Sequence, residues 1–378
     1  MRDRPARFDT SIVRTIRAGD SGADVRDVQR RMVALGSTID AAELEGTFGR
    51  STEKAVRAFQ QHRALLVDGI VGPETWDELV EAGFALGDRT LYLRNPYFRG
   101  DDVRALQRRL NALGFDAGRE DGIFGARCDR AVREFQRNVG REPDGIVGPD
   151  TLVALERLRP QLDAVSGSMV REAEALRRLD ASLAGARVAI DPGHGPTDPG
   201  TCGPTGLSEA AATYRLAAAL RDELRRRGAD PLLLRDGDES PTPSERAGVA
   251  NQSGAEVCIS IHLNGHADPA AEGATCFYFG TPDTSSPAGQ RLAELILEEL
   301  TGRMGLMDGR IHPMSITILR ETQMPAVQVE PCFITNPKEE RLLQEEAFLR
   351  DVVIAMAEGL ERFFNPRART QPGGEPAA

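Results

Sequence analysis

The chain has 378 residues, enough for two or three domains at roughly 150 residues each, with ample core for every one. Hydrophobic residues make up 40% and charged residues 28%, close to an ordinary folded protein, and no apolar run approaches the ~18 to 20 residues of a membrane-spanning helix. The net charge of −11, from 58 acidic against 47 basic residues, argues against a nucleic-acid binder, which presents a clustered basic face.

Only Lys54 and Lys338 are lysines, so the other 45 basic residues are arginines; with abundant Ala and Gly this bias suggests a GC-rich genome. Met1 to Asp20 is charged throughout and lacks a 7-to-15-residue apolar core, so it does not read as a secretory signal. A cytoplasmic location is therefore expected of the chain as written, and the cell wall if the start lies elsewhere or export is unconventional. Cys128, Cys202, Cys258, Cys276 and Cys332 are odd in number and lack CxxC spacing, which predicts reduced, mostly buried thiols.

The first 160 residues contain a repeat. Asp24–Gly36 (DVRDVQRRMVALG) returns as Asp102–Gly114 (DVRALQRRLNALG) at an offset of 78. Gly46–Gln60 (GTFGRSTEKAVRAFQ) returns as Gly122–Gln136, and Asp68–Thr75 (DGIVGPET) as Asp144–Thr151, both at an offset of 76. Val25, Val28, Met32 and Leu35, or Val103, Leu106, Leu110 and Leu113, fall on one face of a helix ended by Gly36 or Gly114. Ala55, Val56 and Phe59, or Ala131, Val132 and Phe135, mark a second helix. DGIVGP is a turn, and Pro73 or Pro149 opens a third short helix. Each copy thus reads as a small all-α, three-helix module, over 16–84 and 92–158. The G-x-FG…A-V-x-x-FQ…DG-x-VGP-x-T signature resembles that of peptidoglycan-binding domains, which implies a glycan or muropeptide ligand. The signature positions are themselves core and turn residues, so a protein-binding surface on the same frame stays open.

Residues 160–185 carry Val165, Met169, Ala173, Leu176 and Leu179 at helical spacing and read as a linker helix. Strands and helices then alternate through 186–364. Strands are expected at Arg187–Ile190, Pro231–Leu234, Val257–His262, Thr275–Phe279, Ile316–Leu319 and Ala326–Val329, and helices at Glu209–Arg227, Ser244–Gln252, Ser286–Thr301 and Lys338–Phe364. This is the pattern of an α/β layer fold with a largely parallel sheet. Residues 365–378, rich in Pro, Gly and Arg, read as a disordered tail.

Three strand ends and one helix start carry unusual residues. His194 follows the first strand in D-P-G-H-G, His262 ends the third in S-I-H-L-N, and Glu330 ends the last in V-E-P-C-F. Glu209 opens a helix behind Ser208, a candidate N-cap. In an open α/β sheet the carboxyl ends of strands and the starts of following helices share one edge, where ligands bind. Two imidazoles and a carboxylate suit a catalytic Zn²⁺ with an open fourth position, and a second carboxylate can shuttle the proton of an attacking water.

Residues 186–364 resemble the zinc-dependent N-acetylmuramoyl-L-alanine amidases. The motifs that carry the resemblance are DPGHG at Asp191–Gly195, GLSE at Gly206–Glu209, LRD at Leu234–Asp236, RxxxAN at Arg246–Asn251, SIHLN at Ser260–Asn264, and MPAVQVE at Met324–Glu330 followed by FITNPKE. The chain departs from the family pattern at Pro196–Thr197, Ala210 and Pro331–Cys332. The resemblance implies Zn²⁺ on His194, Glu209 and His262, catalysis by Glu330, and cleavage of the amide between N-acetylmuramic acid and L-alanine. Asn264 is a candidate substrate contact; His266 and His312 read as surface or supporting residues.

The domain order is similar to that of a cytosolic actinobacterial member of the family. That similarity opens an alternative, a weakly catalytic regulator of peptidoglycan precursor synthesis, binding a muramyl ligand or a cytosolic precursor-synthesis enzyme. Recycling of imported muropeptides is a third reading. Thr370, in the tail, is a candidate site for a Ser/Thr kinase, where a phosphate would add about −1.5 to −2 charge.

Overall fold

The computed structural model describes residues 15–158, 167–177 and 182–365. They fall into two compact units, one ending at residue 164 and the other beginning at residue 165.

In the first unit both repeats fold as three helices. Helices α1 (Ala23–Ala34), α2 (Arg50–Arg63) and α3 (Pro73–Glu81) form one module, and α4 (Asp101–Ala112), α5 (Ala126–Asn138) and α6 (Pro149–Arg157) the other. Equivalent positions fill equivalent cores: Val28, Met32, Phe48, Val56 and Phe59 in the first, Leu106, Leu110, Phe124, Val132 and Phe135 in the second. Leu35, expected on the buried face, instead follows the end of α1 and is 39% exposed. The apolar period continues in the sequence beyond the point where the helix stops.

The repeated FQ…DGIVGP-x-T signature is a hydrogen-bonding device. Gln60, buried in the module, donates from Nε2 to Asp68 Oδ1 at 2.7 Å, the Ile70 carbonyl at 2.9 Å and Thr75 Oγ1 at 3.1 Å. Its Oε1 accepts the Gly69 N–H at 2.9 Å. Gln136 repeats all four contacts with Asp144, Ile146, Thr151 and Gly145. Gly69 and Gly145 lie at φ 73° and 75°, the left-handed region open to glycine without steric cost. One amide therefore ties the turn to both helices that flank it.

Helix α2 draws its N-terminal cap from a distance. Gly49 offers no side chain, and the Glu43 carboxylate accepts the N–H groups of Ser51 at 3.0 Å and Thr52 at 2.8 Å, with the Thr52 hydroxyl at 2.7 Å. These are orphan donors of a helix start, left without intrahelical partners. Burial would raise the Glu43 pKa, but the bonds from Ser51 and Thr52 outweigh it and hold the carboxyl at about 2.

The second unit is built on six strands: β1 (Arg187–Pro192), β2 (Asp230–Leu233), β3 (Val257–Ile261), β4 (Ala274–Phe279), β5 (Asp308–Met314) and β6 (Ala326–Glu330). Their order is β2-β1-β3-β6-β4-β5. The first four in that order are parallel, β4 runs antiparallel to β6, and β5 runs parallel to β4. Helices α8 (Glu209–Arg226), α10 (Pro287–Met304) and α13 (Glu346–Phe364) share a core with one face of the sheet. Helices α9 (Pro243–Ser253) and α11 (Thr317–Glu321) cover the other. Strand β3 shows the alternation directly, with Val257, Ile259 and Ile261 in the first core and Cys258 in the second. The chain is thus an α/β domain with a mostly parallel sheet, preceded by helical modules.

Three elements differ from the sequence reading. Ile316–Leu319, expected as a strand, lies at the start of α11; a run of four residues is too short for its period to separate a buried strand from a buried helical turn. Strand β5 was not expected, because DGRIHPM is polar and largely exposed at the sheet edge. The expected helix Lys338–Phe364 is two, α12 (Pro337–Leu342) and α13, separated at 343–345. Of the expected linker, helix α7 (Gly167–Arg177) is described; residues 160–166 and 178–181, and the tail with Thr370, lie outside the described residues. Cys128, Cys258, Cys276 and Cys332 are buried free thiols, and Cys202 is an exposed one.

Two stability measurements test this account. Gln136→Leu leaves the Gly145 N–H without its buried acceptor, while the Ile146 carbonyl keeps the Thr151 hydroxyl, and should cost about 1 to 3 kcal/mol in urea unfolding. Glu43 titrates lower folded than unfolded, so its contribution is complete above the unfolded value of about 4.5 and lost as pH falls toward 2. Glu43→Gln should flatten that part of the acid unfolding curve.

Candidate metal centre

Register brings the site together. Pro192 on β1 pairs with Ile261 on β3, and Ile261 with Val329 on β6. His194, His262 and Glu330, one or two residues further along each chain, therefore leave the same sheet edge side by side. Glu209 reaches that edge from α8. Its N–H donates to the Thr201 carbonyl at 2.9 Å, and Ser208 caps the helix by accepting the Ala211 N–H.

His194, Glu209 and His262 each offer a ligand atom, and these atoms lie within 4.8 Å of one another. Glu209 Oε1 is 3.2 Å from His194 Nε2 and 3.0 Å from His262 Nδ1. Glu209 is 3% exposed, and its carboxylate also accepts the Thr201 N–H at 2.9 Å and the Leu263 N–H at 3.1 Å. Burial alone would raise its pKa; hydrogen bonds from the two imidazoles reverse this and hold the carboxyl well below the usual range.

His194 sits at φ 61°, uncommon for a residue with a side chain. Its Nδ1 is 2.8 Å from Asp198 Oδ2, which turns Nε2 toward Glu209. Burial works against protonation of His194, but Glu209 and Asp198 prevail and raise its pKa to about 9. Gly193 faces the His262 ring, and a Cβ there would overlap it.

Glu330, partly accessible at the end of β6, accepts a 2.8 Å hydrogen bond from Gln328 Nε2. Burial is the main reason its pKa rises to about 7; His262 and Gln328 pull it back. Beneath the edge, fully buried Asp191 is ion-paired with Arg246 at 2.6 Å and accepts the Ser260 hydroxyl at 2.7 Å. That pair locks β1, β3 and α9 to one another.

Asn264 is half-buried; its N–H donates to the Cys332 carbonyl and its carbonyl accepts the Ile334 N–H, each at 2.9 Å. Its main chain thus continues the line of β3 beside the segment that follows Glu330. His266 and His312 are exposed outside the three-residue group, each engaged locally: His266 Nδ1 accepts the Asp268 N–H, and His312 Nε2 lies 2.9 Å from the Gly309 carbonyl. Cys332 is a core residue with no exposed surface.

Sequence reasoning assigned no role to Asp198, Asp191 or Gln328. Asp191 and Gln328 stand in motifs already quoted, and charge or amide at a buried strand position was the available signal. Asp198 lies in a loop without period, so nothing in the sequence aims it at His194.

Residues 188–362 match the family model described as N-acetylmuramoyl-L-alanine amidase. Residues 21–79 and 99–155 match that of a peptidoglycan binding domain. Over 360 residues the chain is 41% identical to the N-acetylmuramoyl-L-alanine amidase CwlM of Mycobacterium tuberculosis, covering 91% of this chain and 87% of that one. It is 30% identical over 219 residues to the N-acetylmuramoyl-L-alanine amidase AmiA of Escherichia coli, with 47% of this chain and 76% of the relative covered. A solved N-acetylmuramoyl-L-alanine amidase from Clostridium difficile 630 superposes with a TM-score of 0.44 at 28% identity, over 47% of this chain and 95% of that one.

The Glu330 carboxyl offers a direct test. In protein stripped of metal by chelation, ¹³C NMR should place its titration at about 7, and Gln328→Met should move it higher by removing the hydrogen bond that favours the charged form. A bound cation would move it the other way, so any acidic limb of activity that depends on ionised Glu330 should lie at or below about 7.

Proposed function

We propose, from the premise that the chain belongs to the N-acetylmuramoyl-L-alanine amidase family, that it binds Zn²⁺ through His194, Glu209 and His262 and uses Glu330 to hydrolyse its substrate. The bond cleaved is the amide between N-acetylmuramic acid and L-alanine, in peptidoglycan or its muropeptides. The observation that carries this reading is the convergence of two imidazole nitrogens and one carboxylate oxygen within 4.8 Å, beside a further carboxylate on the adjacent strand.

The donor set fits the ion: nitrogen and oxygen ligands, three in number, with one coordination position left for reaction. Zinc bound there supplies Lewis acidity toward a water and toward the amide carbonyl. Asp198 holds the His194 ring in the tautomer that leaves Nε2 free to coordinate. Thr201 and Leu263 fix the Glu209 carboxylate through their N–H groups. Glu330, with a pKa raised to about 7, is suited both to take a proton from the attacking water and to return it to the leaving amine. Gln328 orients that carboxylate from one side. The two N-terminal modules, matched to a peptidoglycan binding domain, would hold the same polymer and raise its local concentration.

Metal content and hydrolysis, measured together on purified peptidoglycan and on a soluble muramyl peptide, test the reading. The native chain should carry zinc and release the L-alanine amine. Glu330→Ala should keep the metal and lose about 10²- to 10⁴-fold in rate, whereas His194→Ala should lose the metal itself. Unchanged turnover in Glu330→Ala would remove that residue from the chemistry.

A further inference from the structure

We infer that Arg235 is a positioning residue of the metal centre, which clamps the loop carrying His194 to the helix carrying Glu209. The inference rests on the reading of those two residues as ligands. Arg235 follows β2 and is 3% exposed. Its Nε donates to the Pro192 carbonyl at 3.0 Å; Nη2 reaches the carbonyls of Gly193 at 3.2 Å and Ala210 at 3.1 Å; Nη1 reaches that of Asp236 at 3.3 Å. Pro192 and Gly193 immediately precede His194, and Ala210 immediately follows Glu209.

A second side chain joins the same two carbonyls. Thr213 Oγ1, fully buried on α8, lies 2.9 Å from the Gly193 oxygen and 3.2 Å from that of Ala210. Tyr214 closes the far side, its ring centre 5.2 Å from the Arg235 guanidinium carbon. The spacing between His194 Nε2 and Glu209 Oε1, 3.2 Å, is therefore set by main chain that one cation holds from both sides.

Only a guanidinium has the required shape. Its donors spread in a fixed plane, so a single group can serve carbonyls on two separate elements; an ammonium presents a compact point charge that cannot hold them in the same fork. Without it, the Pro192 carbonyl loses its guanidinium donor, and the Gly193 and Ala210 carbonyls share the Thr213 hydroxyl alone among side chains. A metal site tolerates ligand distances within only about 0.2 Å, so relaxation of either loop falls directly on affinity.

The test uses the full chain with Arg235→Lys and, as the milder break, Thr213→Val. Zinc affinity is read by chelator competition, ligand geometry by the visible absorption of the Co²⁺-substituted protein, and folding by circular dichroism. Arg235→Lys should fold, bind zinc about 10- to 100-fold more weakly and shift the Co²⁺ bands; Thr213→Val should move both readouts the same way and by less. If Arg235→Lys does not fold, Thr213→Val decides. Native affinity and a native Co²⁺ spectrum in the folded variants would overturn the clamp while leaving the amidase reading intact. A native chain that binds no zinc would overturn that reading and the clamp with it.

Discussion

The alignment of three neighbouring parallel strands is the constraint on which the second unit depends. Because β1, β3 and β6 run in one direction and in register, a residue placed just past the end of any of them arrives at the same edge. Sliding one strand by a single residue would turn the residue at its end to the opposite face. The buried ion pair of Asp191 and Arg246, with Ser260 bonded to the same carboxylate, opposes such a slip between β1 and β3. Breaking a buried pair strands a charge in low dielectric, so the register is guarded by electrostatics as well as by the apolar alternation above and below.

The centre itself is organised around one carboxylate. Glu209 is nearly inaccessible, yet two main-chain N–H groups and two imidazoles face it. Its negative charge draws the rings inward, and Asp198 and the Gly193 contact limit how they can turn. Glu330 is different in kind: it has one hydrogen-bond donor in Gln328, and burial leaves its charge only weakly favoured. Two carboxyl groups of the same chemical type are thus shifted in opposite directions from their ordinary value by what surrounds them, Glu209 downward and Glu330 upward.

Much of this was legible in the residues. The repeats gave their helices, turns and cores, because a duplicated pattern separates structural positions from variable ones. His194, Glu209, His262 and Glu330 could be put on one sheet edge because strand ends and helix starts are read from period and caps. What stayed hidden has a common cause. Strand β5 and the short helix α11 are decided by neighbours distant in sequence, not by local period; Asp198, Gln328 and Arg235 act through geometry that exists only after folding. Arg235 in particular stood in a quoted motif, but nothing in a sequence states that a guanidinium faces carbonyls in place of a carboxylate.

The glutamine networks of the two modules carry a consequence for the order in which the molecule assembles. Gln60 and Gln136 find every partner within 8 to 15 residues along the chain, so little loop entropy opposes their closure. In the second unit Ser260 must find Asp191 across 69 residues, and Thr205 must find Glu340 across 135. Contacts so far apart form slowly. The modules can therefore close while β1, β3 and β6 are still searching for one another, so the sheet edge where His194, Glu209, His262 and Glu330 meet is expected to assemble after them.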